Sequence, residues 1–140
     1  MMMSYKEFEE KYANTGKGYR FIDGSFMDRW HEYFRDNAEV GDGATLCLWS
    51  DREAYTIIKR TPQSLTLRRC KATLKPDFKP DFVPGGFCGT VINQYEQDYD
   101  YEEDENGRII KAYWSKKLGR FRNGSCTVIP GRREYFDFNF

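Results

Sequence analysis

The hydrophobic pattern of this chain changes period once, at Gly41-Asp42-Gly43, and no other feature limits its possible folds as much. Before that point apolar side chains recur at helical spacing. Tyr5, Phe8 and Tyr12 follow Ser4, which predicts a short amphipathic helix with a serine N-cap. Phe26, Trp30, Tyr33 and Phe34 predict a second helix, capped by Asp23 or Ser25 and running to about Asn37. After that point the period falls to two and β-branched and aromatic residues dominate, which predicts strands.

Strands are expected at 44–49, 54–60 and 64–72, with turns at Ser50-Asp51-Arg52 and Thr61-Pro62-Gln63. Residues 75–86 hold three of the five prolines and repeat Lys-Pro-Asp-Phe, so this segment reads as a loop or an extended arm. A strand is expected again over 89–101, then an Asn-Gly hairpin turn at Asn106-Gly107 that returns 109–116 antiparallel to it. A turn at 119–123, a short strand at 126–130 and a docked aromatic strand at 135–140 complete the chain. The pattern predicts an α+β fold: two short N-terminal helices packed on a mainly antiparallel β-sheet in one domain. Residues 1–43 form a helical extension, and 44–140 a β domain that carries the ligand site.

Composition narrows the class. The 140 residues carry 22 basic and 22 acidic side chains, and a protein of zero formal charge is not expected to bind bulk nucleic acid. Only 39% of residues are hydrophobic while 17% are aromatic, so the core is expected to be built mainly from rings and to complete its burial by self-association. No apolar run reaches the roughly 18 residues of a membrane span, and residues 1–12 do not read as a signal peptide. The chain is therefore expected to be soluble and intracellular. Cys47, Cys70, Cys88 and Cys126 form no C-x-x-C pair, and read as buried free thiols rather than a metal or redox site.

Zero net charge conceals a dipole. Seven acids fall between Glu96 and Glu105, whereas 108–133 holds eight bases and no acid. The acidic run reads first as a solvated arm that keeps an edge strand from pairing. Catalytic groups are sparse: His31 is the sole histidine, and no nucleophile elbow or phosphate-binding loop is present. No catalytic residue, metal or cofactor is assigned, and a binding protein is favoured.

Arginine and tyrosine placement is more informative. Arg52 stands at a strand end, Arg68 and Arg69 are adjacent on a strand, and Arg132 and Arg133 precede the last segment. A guanidinium fork matches phosphate oxygens two at a time and its plane stacks on rings. Tyr95, Tyr99 and Tyr101 share one strand face by period two and could form a stacking wall. Together they are candidate ligands for a small nucleotide. The competing reading has the tyrosines packing the sheet and the arginines pairing with surface acids.

The blocks Gly-Ala-Thr at 43–45, Ser50-Asp51-Arg52 with Tyr55-Thr56-Ile57-Ile58, Leu67-Arg68-Arg69 with Lys71-Ala72, Gln94-Tyr95, and Gly131-Arg132-Arg133-Glu134-Tyr135-Phe136-Asp137 with Phe140 resemble a phage-encoded family: the first-described anti-Thoeris sponge proteins. The resemblance covers residues 43–140. It implies a non-catalytic protein that sequesters cyclic ADP-ribose isomers, in some members also cyclic oligonucleotides, in the cytoplasm of an infected bacterial host. It implies a homo-oligomer, dimer or hexamer, with pockets at subunit contacts, and Arg52 with Arg132 or Arg133 as phosphate-binding groups. Cys70 and Leu74 depart from the family pattern, and the loop at 75–89 is longer than the family's. Two other functions fit the residues. One is a protein-directed inhibitor of a defence nuclease of the anti-CRISPR type, using the acidic arm as a phosphate mimic; the other is a cyclic-nucleotide hydrolase.

Overall fold

Ser4 starts the first helix as the sequence predicts. Its hydroxyl accepts from the Glu7 amide at 3.2 Å while the Glu7 carboxylate accepts from the Ser4 amide at 3.4 Å, a reciprocal pair that satisfies two amides the helix leaves orphaned. Helix α1 spans Tyr5–Tyr12 and helix α2 spans Gly24–Asn37. The computed structural model describes residues 2–12, 24–79, 81–83, 90–91 and 97–137. Tyr95, Cys88, Asp23 and Phe140 lie outside the described residues.

The strands are β1 (Gly43–Cys47), β2 (Arg52–Thr61), β3 (Ser64–Arg69), β4 (Lys71–Leu74), β5 (Phe82–Val83), β6 (Thr90–Val91), β7 (Tyr99–Glu102), β8 (Ile109–Ser115), β9 (Arg120–Asn123) and β10 (Cys126–Pro130). Six of them close an antiparallel barrel in the order β1-β10-β9-β8-β3-β2, and closure leaves those strands no free edge. The α+β class and the mainly antiparallel sheet are as predicted; the closure is not legible in the pattern.

Alternate residues of each barrel strand point inward. Ala44 and Leu46, Tyr55 and Ile57, Leu65 and Leu67, with Ala112, Phe121 and Val128, fill the interior. Most of these are aliphatic, which corrects the expectation of a core made mainly of rings. A six-stranded barrel is narrower than the eight-stranded kind whose interior side chains just fill, so it admits few large rings. Rings instead bind the two helices together: Phe8, Phe26 and Trp30 form a second cluster, with Tyr5, Tyr12 and Tyr33 against it. Residues 1–43 and the barrel share a core, because Phe34 and Ala38 of α2 join the barrel cluster and Phe34 meets Phe121 edge-on at 5.6 Å. Polar contacts reinforce this. Arg60 donates to the carbonyls of Arg35 and Ala38, Arg120 pairs with Asp28 at 3.2 Å, and the Arg35 guanidinium lies 4.7 Å from the centre of the Trp114 ring.

The predicted hairpin at Asn106-Gly107 is corrected. Strand β8 does not fold back on β7; both run the same way along a single partner line, β8 pairing with β3 and β7 with β4. Residue 71 faces 102 and residue 68 faces 109, so 69–70 on one side stand against 103–108 on the other. The Asn-Gly step is absorbed in this wide bulge, whose Gly107 lies so close to β3 that a Cβ there would sit 2.2 Å from the Arg69 carbonyl oxygen. The predicted turn at 119–123 is mostly strand β9, its reversal falling earlier, at residues 116–119. Phe82–Val83 of the proline-rich segment does pair, in a two-residue ladder with Thr90–Val91, at two residues that keep their backbone amides. The final segment is not a strand over its described part: it meets β2 in one bridge, Arg52 with Tyr135.

Candidate functional site

After β10 the chain turns at Gly131, whose φ of 85° is a conformation side-chain-bearing residues rarely adopt. The turn lays residues 131–135 along the outside of β1 and β2. Thr45 holds it, donating to the Gly131 carbonyl at 2.7 Å and accepting from the Arg133 amide at 2.8 Å. The Tyr101 hydroxyl accepts from the Glu134 amide at 2.9 Å, and Arg52 and Tyr135 exchange backbone hydrogen bonds of 2.8 and 3.0 Å. Arg52, far away in sequence, is thereby brought to the same place as Arg132 and Arg133.

That place is a cavity of about 670 Å³ between the outer face of β1 and β10 and the two helices. Arg52, Arg132 and Arg133 line one side, and Tyr5, Met27 and Trp30 line the other. Its size falls within the range of small-molecule sites, and its two walls differ in chemistry as an amphipathic anion requires. Glu7 and Asp42 also line it, so the three cationic groups outnumber the carboxylates by one. Among the described residues no carboxylate lies within 4 Å of the Arg52 or the Arg133 guanidinium, so both are available to an anion. Cys47 lines the same cavity. Burial pushes its thiol up while Arg52 beside it pulls the other way, and the net direction is upward, which keeps it a thiol at neutral pH.

Arg132 is shared between this cavity and a smaller hollow of about 370 Å³ lined by Tyr99, Tyr101 and Glu103. Its guanidinium donates to the Thr56 hydroxyl at 2.8 Å and to the Glu103 carboxylate at 3.4 Å. Glu103 also accepts from Thr56 at 2.7 Å and from Arg68 at 3.3 Å, and the Thr56 hydrogen bond, with the two arginines, holds its carboxyl below the usual range. Arg132 is thus charged but engaged.

The sequence-predicted site residues divide. Arg52, Arg132 and Arg133 meet in the cavity. Arg69 does not: it forks onto Glu134 with bonds of 2.8 and 2.7 Å. Burial pulls this guanidinium down, but the Glu134 hydrogen bonds and charge outweigh it and hold it above its ordinary value. Arg68 pairs with Glu103 on the outer face of β3, away from the cavity lining. Tyr99 and Tyr101 do share a face, their rings 6.5 Å apart, but that face belongs to the smaller hollow. The Tyr99 hydroxyl donates to Gln97, and burial raises its pKa to about 12. Tyr95 lies outside the described residues.

The aromatic wall therefore comes from the helices, which the sequence pattern places outside the ligand site. Trp30 stacks on Tyr33 at 5.9 Å and meets Tyr5 edge-on at 5.5 Å, so its ring is held in place. His31 also lines the cavity; it is 1% exposed, and its Nδ1 has no hydrogen-bond partner among the described residues. The neighbouring apolar side chains at helical spacing carry the signal of a core face and none of a ligand wall. No group of three or more His, Cys, Asp or Glu is placed to hold a metal among the described residues. No helix among them is long and apolar enough to cross a membrane. No family model, curated protein or solved structure matches the chain.

Proposed function

We propose that this protein binds a small, anionic, ring-bearing molecule of the nucleotide class and holds it without cleaving it. The observation that carries this reading is the meeting of Arg52 and Arg133, neither paired with a carboxylate among the described residues, with Arg132 opposite the fixed ring of Trp30 across one cavity. Guanidinium forks meet phosphate oxygens two at a time, and the apolar wall of Tyr5, Met27 and Trp30 can pack against a base. Three charge-assisted contacts of about 3 kcal/mol each, with about 3 kcal/mol more from ring packing, sum to the roughly 12 kcal/mol of a nanomolar complex, which requires the groups to be preorganised. His31 is buried and neutral, so the cavity offers no imidazole poised for proton transfer near neutral pH.

The resemblance to anti-Thoeris sponge proteins narrows the ligand to cyclic ADP-ribose isomers made as immune signals, acting in the cytoplasm of a phage-infected bacterium. Self-association as a dimer or hexamer belongs to the same proposal. Isothermal titration of the full chain against these isomers, followed by heat denaturation and chromatography of the released ligand, tests it. Tight binding with intact ligand recovered supports the proposal. No binding to any isomer overturns the ligand assignment, and recovery of a cleaved product overturns the non-catalytic reading.

A further inference from the structure

We propose that the outer face of β3, β8 and β9 is a docking surface for single-stranded nucleic acid, a site separate from the cavity because β8 lies two strands round the barrel from β10. Inward residues Ile110, Ala112 and Trp114 of β8 pack on the core, so Ile109, Lys111 and Tyr113 point out. Tyr113 and Ile109 are each 59% exposed, large apolar groups left in water on a folded barrel. Tyr113 sits in a row across the strands, with Ser64 of β3 on one side and Arg122 of β9 on the other. Its β3 neighbour is too short to cover the ring, and Arg122 is held along the face by its bonds to the Thr127 hydroxyl at 3.1 Å and the Ser125 carbonyl at 2.6 Å.

The unpaired charge on this face is positive. Arg68 and Arg120 are paired, with Glu103 and Asp28, but Lys111, Lys116, Lys117 and Arg122 have no carboxylate within 4 Å among the described residues. Residues 108–133 contain no acid at all, and the balancing acids stand in 96–105. Zero net charge removes the attraction that a net positive charge would exert at long range, yet contact electrostatics act within a Debye length of about 10 Å, where the local charges count. An uncovered ring with Arg122 beside it and Lys111 on the same strand face, and with Lys116 and Lys117 in the turn that follows β8, is what a single strand uses, its phosphates neutralised and its bases free to stack. A duplex keeps its bases stacked inside, and an acidic peptide has no use for the ring.

The test is fluorescence anisotropy of the full chain with a fluorescein-labelled oligothymidylate, and with a labelled duplex of equal length. Micromolar binding of the single strand is expected at about 50 mM salt, weakening about 50-fold by about 200 mM if four cations each release a counterion. Tyr113→Ala is expected to weaken it about 5- to 100-fold while Tyr113→Phe retains it. Lys111→Glu combined with Lys117→Glu should abolish it, and the same reversal at Lys6 and Lys11 of α1 should not. Circular dichroism confirms that each variant is folded, and the lysine pair decides the matter if Tyr113→Ala is not. Absence of binding at low salt, equal binding of the duplex, or no effect of the Lys111 and Lys117 reversals overturns the proposal. Salt-sensitive self-association without oligonucleotide binding also overturns it, and assigns the face to the acidic segment of a second copy.

Discussion

Arg69 of β3 grips Glu134 of the C-terminal segment through both its terminal nitrogens, at 2.8 and 2.7 Å, while the same carboxylate accepts from the Ala54 amide at 2.8 Å. Glu134 follows directly on Arg132 and Arg133, so this fork fixes the two arginines that line the cavity. A residue that reads as a ligand candidate in the sequence is a brace for the ligand candidates instead.

Arg69→Ala should therefore act on the fold. It leaves the mostly buried Glu134 carboxylate without its counter-charge, at a cost of about 2–3 kcal/mol given the partial exposure of the pair. Urea denaturation should show a lower midpoint, and ligand binding should weaken as the C-terminal segment shifts from its position.

Arg52→Ala and Arg133→Ala should do the reverse. Neither guanidinium has a carboxylate to orphan among the described residues, so thermal unfolding should shift little, while affinity for the nucleotide ligand falls about 10- to 150-fold for each guanidinium removed. Variants that unfold while still binding ligand when folded would assign both arginines a structural role.

Glu103 competes with any anion for Arg132. Replacing it by Gln removes the charge but keeps the Thr56 hydrogen bond within reach, so ligand affinity should rise by up to about fivefold, the worth of an exposed ion pair. Titration calorimetry at fixed salt measures it. Unchanged affinity would mean that Arg132 does not reach the ligand.

His31 should make stability depend on pH. Burial first, and then the Arg120 charge, lowers its pKa to about 4 against an ordinary 6.5, with Asp28 opposing. Below about pH 6.5 the unfolded chain takes up a proton that the folded one refuses until about pH 4. Stability should fall across that window by about 3 kcal/mol and flatten below it as far as this group is concerned. Urea midpoints at neutral pH and near pH 4, compared between the native protein and His31→Leu, isolate the contribution; equal pH slopes in the two would show that His31 is not responsible.

Gly107→Ala should be among the most damaging small changes. The new Cβ would meet the Arg69 carbonyl oxygen at 2.2 Å and the Asp104 carbonyl oxygen at 3.0 Å, both backbone atoms that cannot step aside cheaply. The bulge joining β7 to β8 would have to open, and a lower melting temperature should be accompanied by loss of the β3–β8 register in amide exchange.

Local structure is legible in the sequence because it is set by neighbours. Ser4 and the spacing of Tyr5, Phe8 and Tyr12 determine α1, and the alternation of Leu65 and Leu67 with Thr66 and Arg68 determines a strand with one buried face. Alternation says which face is buried but not what covers it. Strand partners, closure of the barrel and the fate of Asn106-Gly107 are decided only where β7 and β8 meet the continuous line of β3 and β4, since an Asn-Gly step serves a wide bulge as well as a hairpin. The candidate site divides in the same way. Residue type marks Arg52, Arg132 and Arg133 as anion-binding groups, and Gly131 marks the turn that delivers two of them. Which arginines stay unpaired depends on where Glu134 and Glu103 fall in space, and the ring opposite them comes from Trp30, whose helical spacing identifies a buried stripe. Pairing of charges and enclosure of a cavity are long-range relations between surfaces, and only the tertiary structure holds that information.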